Sequence, residues 1–422
     1  MTRMDIPSVA VVSGTAPRDR LVNVALVIAC QVCHSLTFVG IALFLPLIRE
    51  DLQITYTQAG LLSAAAILSY AAAQIPAGYL ADRFGARQLF FIGLLGWSLL
   101  SMAFGLIHAF WLAALNLFVA GAFRALLFAP GLRLLASWFP PQRGATAMGL
   151  YMVGGYSGNI LLALAGPALA AALGWRPAFI IFATAGVVAA VAFFISGRGK
   201  PRPARARPFV IGDALRLFEH RILWVCGAIQ FVRFSAVTGF TFWLPSLLVA
   251  DRGFSLQEAG LVVAMCAAFS ALANALGGYL SDRLGNPPLV IGASLAALAG
   301  ACLLLMRVES APALLLVVAA AAVFLQLYFG PLFFIPLEVL GQRAAGTATG
   351  FSNLFANLGG LTTAYALGAV KDMTGSFTWG FAGIGVLCLI GAALSIALAR
   401  MRGRALEEQA AGCEAARLRE SL

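Results

Sequence analysis

Charge is scarce in this sequence. Only 11% of its 422 residues are Asp, Glu, Lys or Arg, while 61% are apolar. A soluble globular chain carries about 25% charged residues to cover its surface. A water-soluble enzyme or binding domain is therefore excluded, and an integral membrane protein is indicated. Acidic residues are missing from the middle of every long apolar stretch: Asp82, Asp282, Glu338 and the others stand near stretch ends. Histidine is limited to His34, His108 and His220, too few and too scattered for a metal-ligand cluster. There is no nucleotide-binding loop and no nucleophile beside a base, so neither enzymatic activity nor a cofactor or metal is expected. A cleavable leader is lacking too, because the first apolar block is long enough to stay as a span. Cys30, Cys33, Cys226, Cys266, Cys302 and Cys388 lie in apolar blocks and Cys413 in the C-terminal tail. None can staple an exported loop, and no disulfide is expected.

The apolar residues fall into blocks of the length that crosses a bilayer as a helix, about 20 residues. Twelve are counted: 22–47, 58–80, 88–107, 110–136, 145–171, 176–196, 222–249, 258–280, 288–306, 312–337, 346–370 and 378–399. The short alternating segments of a membrane β-barrel are not seen. The fold class is all-α, with twelve transmembrane helices. The net charge of +11 is explained by topology and not by nucleic acid. Sorted alternately, the loops of one side hold Arg3, Arg18, Arg20, Arg83, Arg87, Arg143, the run from Arg198 to Arg221, Arg283, Arg343 and the tail from Arg400 to Arg419. The other side holds little beyond Arg49, Arg176, Arg252, Arg307 and Lys371. The positive-inside rule then places both termini in the cytoplasm of a multi-pass protein of a bacterial inner membrane.

One long loop divides the chain. The reading is a cytoplasmic segment 1–21, a six-span unit 22–196, a cytoplasmic linker 197–221, a second six-span unit 222–399 and a cytoplasmic tail 400–422. The linker is Pro- and Arg-rich, and from Pro208 a short amphipathic helix on the anionic membrane surface is expected. The two units repeat each other. Gly78-Tyr79-Leu80-Ala81-Asp82-Arg83-Phe84-Gly85 returns 200 positions later as Gly278-Tyr279-Leu280-Ser281-Asp282-Arg283-Leu284-Gly285. Asp51 with Ala59-Gly60 returns as Asp251 with Ala259-Gly260, and Pro46 maps to Pro245. Parallel six-span halves around a central site are a transporter architecture.

Residues 78–87, GYLADRFGAR, resemble the loop motif between spans two and three of the major facilitator superfamily. The repeat extends that likeness over nearly the whole chain. In the motif, Gly78 is expected to let helices pack closely, Asp82 to face a helix N-terminus or pair with Arg87, and Gly85 to permit a tight turn. Arg83 and the second-copy residues Asp282, Arg283 and Gly285 are assigned with them to gating and packing, although Pro287 replaces the second copy's arginine. Trp138-Phe139-Pro140-Pro141-Gln142-Arg143-Gly144, Gly346 to Phe351, Asn357-Leu358-Gly359-Gly360 and Thr374-Gly375-Ser376 resemble organic-anion and anion:cation symporter branches.

Two arginines stand where charge is costly. Arg124 is near the middle of span four and Arg233 near the middle of span seven, at about 2.5–3.5 kcal/mol each on insertion scales. No membrane acid is at hand to pair with them, which makes an anionic substrate the candidate partner. The repeat points the same way, since Gln31 and His34 map to Gln230 and Arg233, both shifted by 199. Residues at i and i+3 share a helix face. In span ten the position matching Arg124 is Leu325, beside Gln326 and Tyr328. The resemblance implies that spans one, four, seven and ten line the cavity, so His34, Arg124 and Arg233 would look into one chamber. The predicted cargo is a small organic anion with at least one carboxylate, held by the arginine forks. His34 is the only mid-depth group that titrates near neutral pH, so protons are a second expected partner. Proton-coupled uptake by a monomer is the leading reading. Anion exchange and drug or metabolite efflux are the alternatives. For efflux, Gly166-Pro167 resembles part of the antiporter motif, but Leu162, Ala170 and Ala171 replace its flanking glycines. Cys30-Gln31-Val32-Cys33-His34 spells the c-type haem attachment pattern, yet it lies mid-span, and its informative members are Gln31 and His34.

Overall fold

The computed structural model describes residues 17–139, 144–197, 219–340 and 345–420. Among these residues all regular structure is helical, and the helices assemble into twelve spans. Spans one to six are Pro17–Leu43 continued by Leu45–Asp51, Tyr56–Phe84, Ala86–Phe104, Phe110–Ala125 continued by Phe128–Ala136, Gly144–Leu173 and Trp175–Ser196. Span seven runs as Arg221–Thr238, a π-helical turn Gly239–Trp243 and Leu244–Ala250. Spans eight to twelve are Leu256–Leu284, Pro287–Arg307, Ala311–Leu327 continued by Phe329–Leu340, Ala345–Thr374 and Thr378–Glu420. Ten of the spans are long and apolar enough to cross a membrane over their described residues. Spans two and eleven complete the set with 29 and 30 residues. The expected amphipathic helix after Pro208 and the loop arginines Arg143 and Arg343 lie outside the described residues. The tail expected from residue 400 continues span twelve as helix, and Arg402 grips Glu338 of span ten with two hydrogen bonds of 2.6 and 2.8 Å.

Packing repeats the sequence symmetry. In the first half span one packs on five and six, two on four, and three on four and six. In the second half seven packs on eleven and twelve, eight on ten, and nine on ten and twelve. Even the helix ends repeat. Spans two and eight each start with a capping box, Thr55 with Gln58 and Ser255 with Glu258, two pairs set 200 apart. Each box satisfies backbone donors that would otherwise be orphaned. Both spans stop at a glycine with positive φ, Gly85 at 91° and Gly285 at 60°, a conformation that side chains disfavour.

The halves meet along spans two and eleven and along spans five and eight. Glycine makes both contacts possible. A Cβ at Gly60 would overlap the Ala364 carbonyl oxygen, and one at Gly260 would overlap the Ala163 carbonyl oxygen. Gly60 and Gly260 are 200 apart, and Ala163 and Ala364 are 201 apart, so the two contacts are symmetry mates.

Proline interrupts each of spans one, four, seven and ten past its midpoint. Pro46, Pro130 and Pro331 stand just after the breaks at Phe44, Leu126–Leu127 and Tyr328, and Pro245 follows the π-helical turn. A proline ring removes a donor and displaces the carbonyl four residues back, which accounts for a break on its N-terminal side. In spans four and ten the breaks adjoin Arg124 and Gln326, polar groups of the next subsection.

Candidate functional site

A cavity of about 200 Å³ opens in the first half, lined by spans one, two, four and five. Arg124 supplies its charge. Span four places it one residue before the end of its first helical piece, next to the break. The guanidinium lies between two rings, 3.8 Å from the centroid of Phe38 and 4.4 Å from that of Tyr70. Ring faces attract the cation and cover its plane. Its N–H edges stay available for hydrogen bonds in the plane, the geometry that suits a carboxylate or sulfonate. Among the described residues the ion pairs are Asp51–Arg176, Asp251–Lys371 and Glu338–Arg402, so neither Arg124 nor Arg233 has a carboxylate partner.

His34 forms the adjoining wall. It stacks on Phe38, with centroids 5.9 Å apart and planes 8° apart, and meets Trp97 edge-on at 5.3 Å. Trp97 is held in turn, since its indole N–H donates to the Thr37 hydroxyl at 2.7 Å, and Thr37 donates to the His34 carbonyl. Both ring nitrogens of His34 lack a hydrogen-bond partner among the described residues. Gln31, Ser35, Tyr70, Tyr151, Tyr156 and Asn159 add hydroxyl and amide groups to the lining. Tyr151 donates to the Leu127 carbonyl at the break in span four, which ties the cavity floor to the kink.

Arg233 is not on this cavity. It belongs to a second cluster in the other half, where its Nη1 donates to Gln230 Oε1 at 3.3 Å and its guanidinium lies 4.5 Å from the centroid of Phe329. Tyr328 and Tyr156 lie within its electrostatic reach. Tyr156 also lines the Arg124 cavity and its hydroxyl meets Asn274 of span eight, so this one residue joins the two clusters across the halves. The four residues matched by the repeat thus form two groups, Gln31 with His34 in the first half and Gln230 with Arg233 in the second. Gln326 is half-buried in span ten and is not on the cavity. Phe38 and Trp97 were not singled out in the sequence. Phe38 carried a signal, four residues after His34 and on the same helix face; Trp97 carried none.

The motif residues are divided. Asp82 and Gly78 have side-chain positions outside the described set. Arg87 donates to the Phe194 carbonyl at the end of span six, 2.8 Å away, and Arg83 lies near the Phe84 ring. Asp282 and Arg283 are exposed. In the second copy the close helix approach is made by Gly277, where a Cβ would overlap the Leu327 carbonyl of span ten, while a Cβ at Gly278 would meet nothing within 4 Å. In the haem-like pattern Cys30 is buried, with its thiol 3.6 Å from the Ala189 carbonyl, and both cysteines are free.

At the end of the molecule opposite the termini, the halves are fastened together. Asp372 of span eleven accepts from the backbone N–H groups of Tyr56 and Thr57, at 3.0 and 2.7 Å, and from the Thr57 hydroxyl at 2.6 Å. A carboxylate from one half thus caps the N-terminus of span two in the other. Its neighbour Lys371 pairs with Asp251 of its own half. Tyr56, Trp243 and Phe377 stack beneath, with centroids 5.2–6.3 Å apart.

Known proteins share this plan. The family model described as Major Facilitator Superfamily matches residues 27–364. A probable sulfoacetate transporter, SauU, of Cupriavidus necator is 28% identical over 85% of this chain and 89% of its own. The hexuronate transporter of Bacillus subtilis is 25% identical over 86% of this chain and 91% of its own. Among solved structures, a bacterial homologue of the human lysosomal transporter Spinster, inward-facing and occupied, superposes with a TM-score of 0.75 at 19% identity, covering 93% of this chain and 98% of that one. Six-span halves that repeat in sequence and in packing, a polar group within each half and a family match through most of both halves lead to one assignment: the chain is a member of the major facilitator superfamily.

Proposed function

We propose that the chain carries a small organic acid anion across the membrane by alternating access, with Arg124 as the principal anion-binding group. The observation that carries this reading is the state of Arg124: ring faces cover its plane, no carboxylate among the described residues neutralises it, and it stands on a cavity. The relatives named for sulfoacetate and hexuronate both take organic acids, which supports the same class. The small cavity disfavours drug efflux, because pockets for drug-sized ligands span about 300–1,000 Å³. With both termini cytoplasmic by charge asymmetry, the fastened end is the outer one, and the cavity serves the inward-facing stage of a cycle in an inner membrane. His34, beside the anion site, is the group assigned to couple a proton to uptake. Exchange of one anion for another is the second mode.

Proteoliposome uptake of labelled carboxylates and sulfonates tests the reading. Arg124→Ala is expected to abolish uptake, and Arg233→Lys, which keeps charge and loses the fork, to reduce it. Wild-type rates in both variants would sink the proposal. Driving uptake separately with a pH gradient and with preloaded anion distinguishes symport from exchange. Retained pH-driven accumulation in His34→Gln would remove His34 from the coupling.

A further inference from the structure

The cluster around Arg233 holds three unmet donors. Arg233 is 5% exposed, and Gln230 and Tyr328 are fully buried. The one hydrogen bond among them uses Arg233 Nη1 and Gln230 Oε1. Left over are Arg233 Nε, the Gln230 amide nitrogen and the Tyr328 hydroxyl, each without a hydrogen-bond partner among the described residues. A guanidinium N–H, an amide N–H and a phenol O–H can all donate. Buried donors in native proteins are satisfied, and an unsatisfied set this close together calls for an acceptor from outside the chain. With the guanidinium's charge among these donors and no carboxylate paired to it among the described residues, an anion is the acceptor that suits them.

Arg124 makes the same demand on its own cavity. The two clusters belong to opposite halves, and Tyr156 connects them, being on the Arg124 cavity and within electrostatic reach of Arg233. Two unneutralised arginines present a formal charge of +2 at mid-depth. A monoanion held on one leaves the other uncompensated when the halves close and water leaves. A molecule with an acid group at each end neutralises both and is the cargo that bonds the two halves together.

We propose, building on the organic-anion reading above, that the cargo is a compact dianion whose first acid group binds Arg124 and whose second binds Arg233 with Gln230 and Tyr328. Tyr156, which lines the Arg124 cavity and lies within electrostatic reach of Arg233, is the residue common to both ends of this arrangement. Discrimination against monoanions then arises at closure, because a single acid group cannot satisfy both clusters.

The test uses the purified full-length protein at pH 8, where both acid groups of sulfoacetate and of succinate are ionised. Dissociation constants are measured for sulfoacetate against ethanesulfonate and for succinate against butyrate. In the wild type each dianion is expected to bind at least about tenfold tighter than its monoanion, about 1.4 kcal/mol. Arg233→Gln is expected to bring that ratio close to one, and Arg233→Lys, which keeps the charge, to preserve part of it. The ratio is internal to each variant, so a loss of active protein does not mimic the effect. Equal binding of the two members of both pairs by the wild type, or an unchanged ratio in Arg233→Gln, overturns the dianion while leaving the organic-anion reading in place. Binding of none of the four anions overturns both.

Discussion

At the scale of the residue, the site turns on how a half-buried cation is held. Arg124 is positioned by aromatic faces at 3.8 and 4.4 Å rather than by a counter-ion. That choice leaves its hydrogen-bonding edge uncommitted while limiting the cost of burial. Lysine keeps the charge but offers neither a plane for Phe38 and Tyr70 nor a fork for an acid group. Arg124→Lys is therefore expected to lower uptake at least about tenfold at subsaturating anion, about 1.4 kcal/mol, as read by initial rates in proteoliposomes. Arg124 and its isolation from acids were legible in the sequence, because a charge in the middle of an apolar block identifies itself. The rings that hold it were not, since a phenylalanine in an apolar stretch looks like every other one.

At the scale of the element, glycine and proline shape the spans. Gly277 and the motif residue Gly278 show how a contact is decided by helix phase. Gly277 faces the Leu327 carbonyl beside the break in span ten, and Gly278, one residue on, faces open space. A methyl group at Gly277 must push span eight away from span ten, and overpacking of this kind costs about 1–3 kcal/mol. Gly277→Ala is expected to lower the melting temperature in detergent, and Gly278→Ala to leave it unchanged or slightly raised through reduced chain entropy. The sequence repeat brought out Gly278, the mate of Gly78, but not Gly277, whose mate is Ala77. Choosing between them needed the packing of span eight on span ten.

At the scale of the whole molecule, the fastening of the halves is lopsided. Asp372 caps span two, whereas the corresponding position in the first half, 201 residues earlier, is Ala171 and offers no charge to span eight. The end opposite the termini is thus latched on one side by a carboxylate and on the other by packing at Gly260. An exposed charge at a helix N-terminus contributes about 0.3–1 kcal/mol, enough to shift a two-state equilibrium about two- to fivefold. Asp372→Asn is expected to open this end. Distances between spin labels at positions 111 and 379, exposed sites on opposite halves, would shift toward longer values. An unchanged distribution would show that the carboxylate does not latch the halves.

The sequence by itself determined the twelve spans, the two halves and the mid-depth charges, since each follows from local composition or from a repeat within one chain. A helix that must sit in lipid announces itself by length and apolarity, and a duplicated unit by its recurring residues. It also brought out Gln31 with His34 and Gln230 with Arg233 as mates. Only the tertiary structure decided that Gln31 and His34 line a cavity of the first half while Gln230 and Arg233 form a cluster of their own in the second. It alone showed that the open cavity belongs to the first half and that Tyr156 joins the clusters. The physical reason is that facing across a membrane bundle depends on helix rotation and on the breaks beside Pro46, Pro130, Pro245 and Pro331. Packing of distant helices sets those rotations, and no local pattern encodes them.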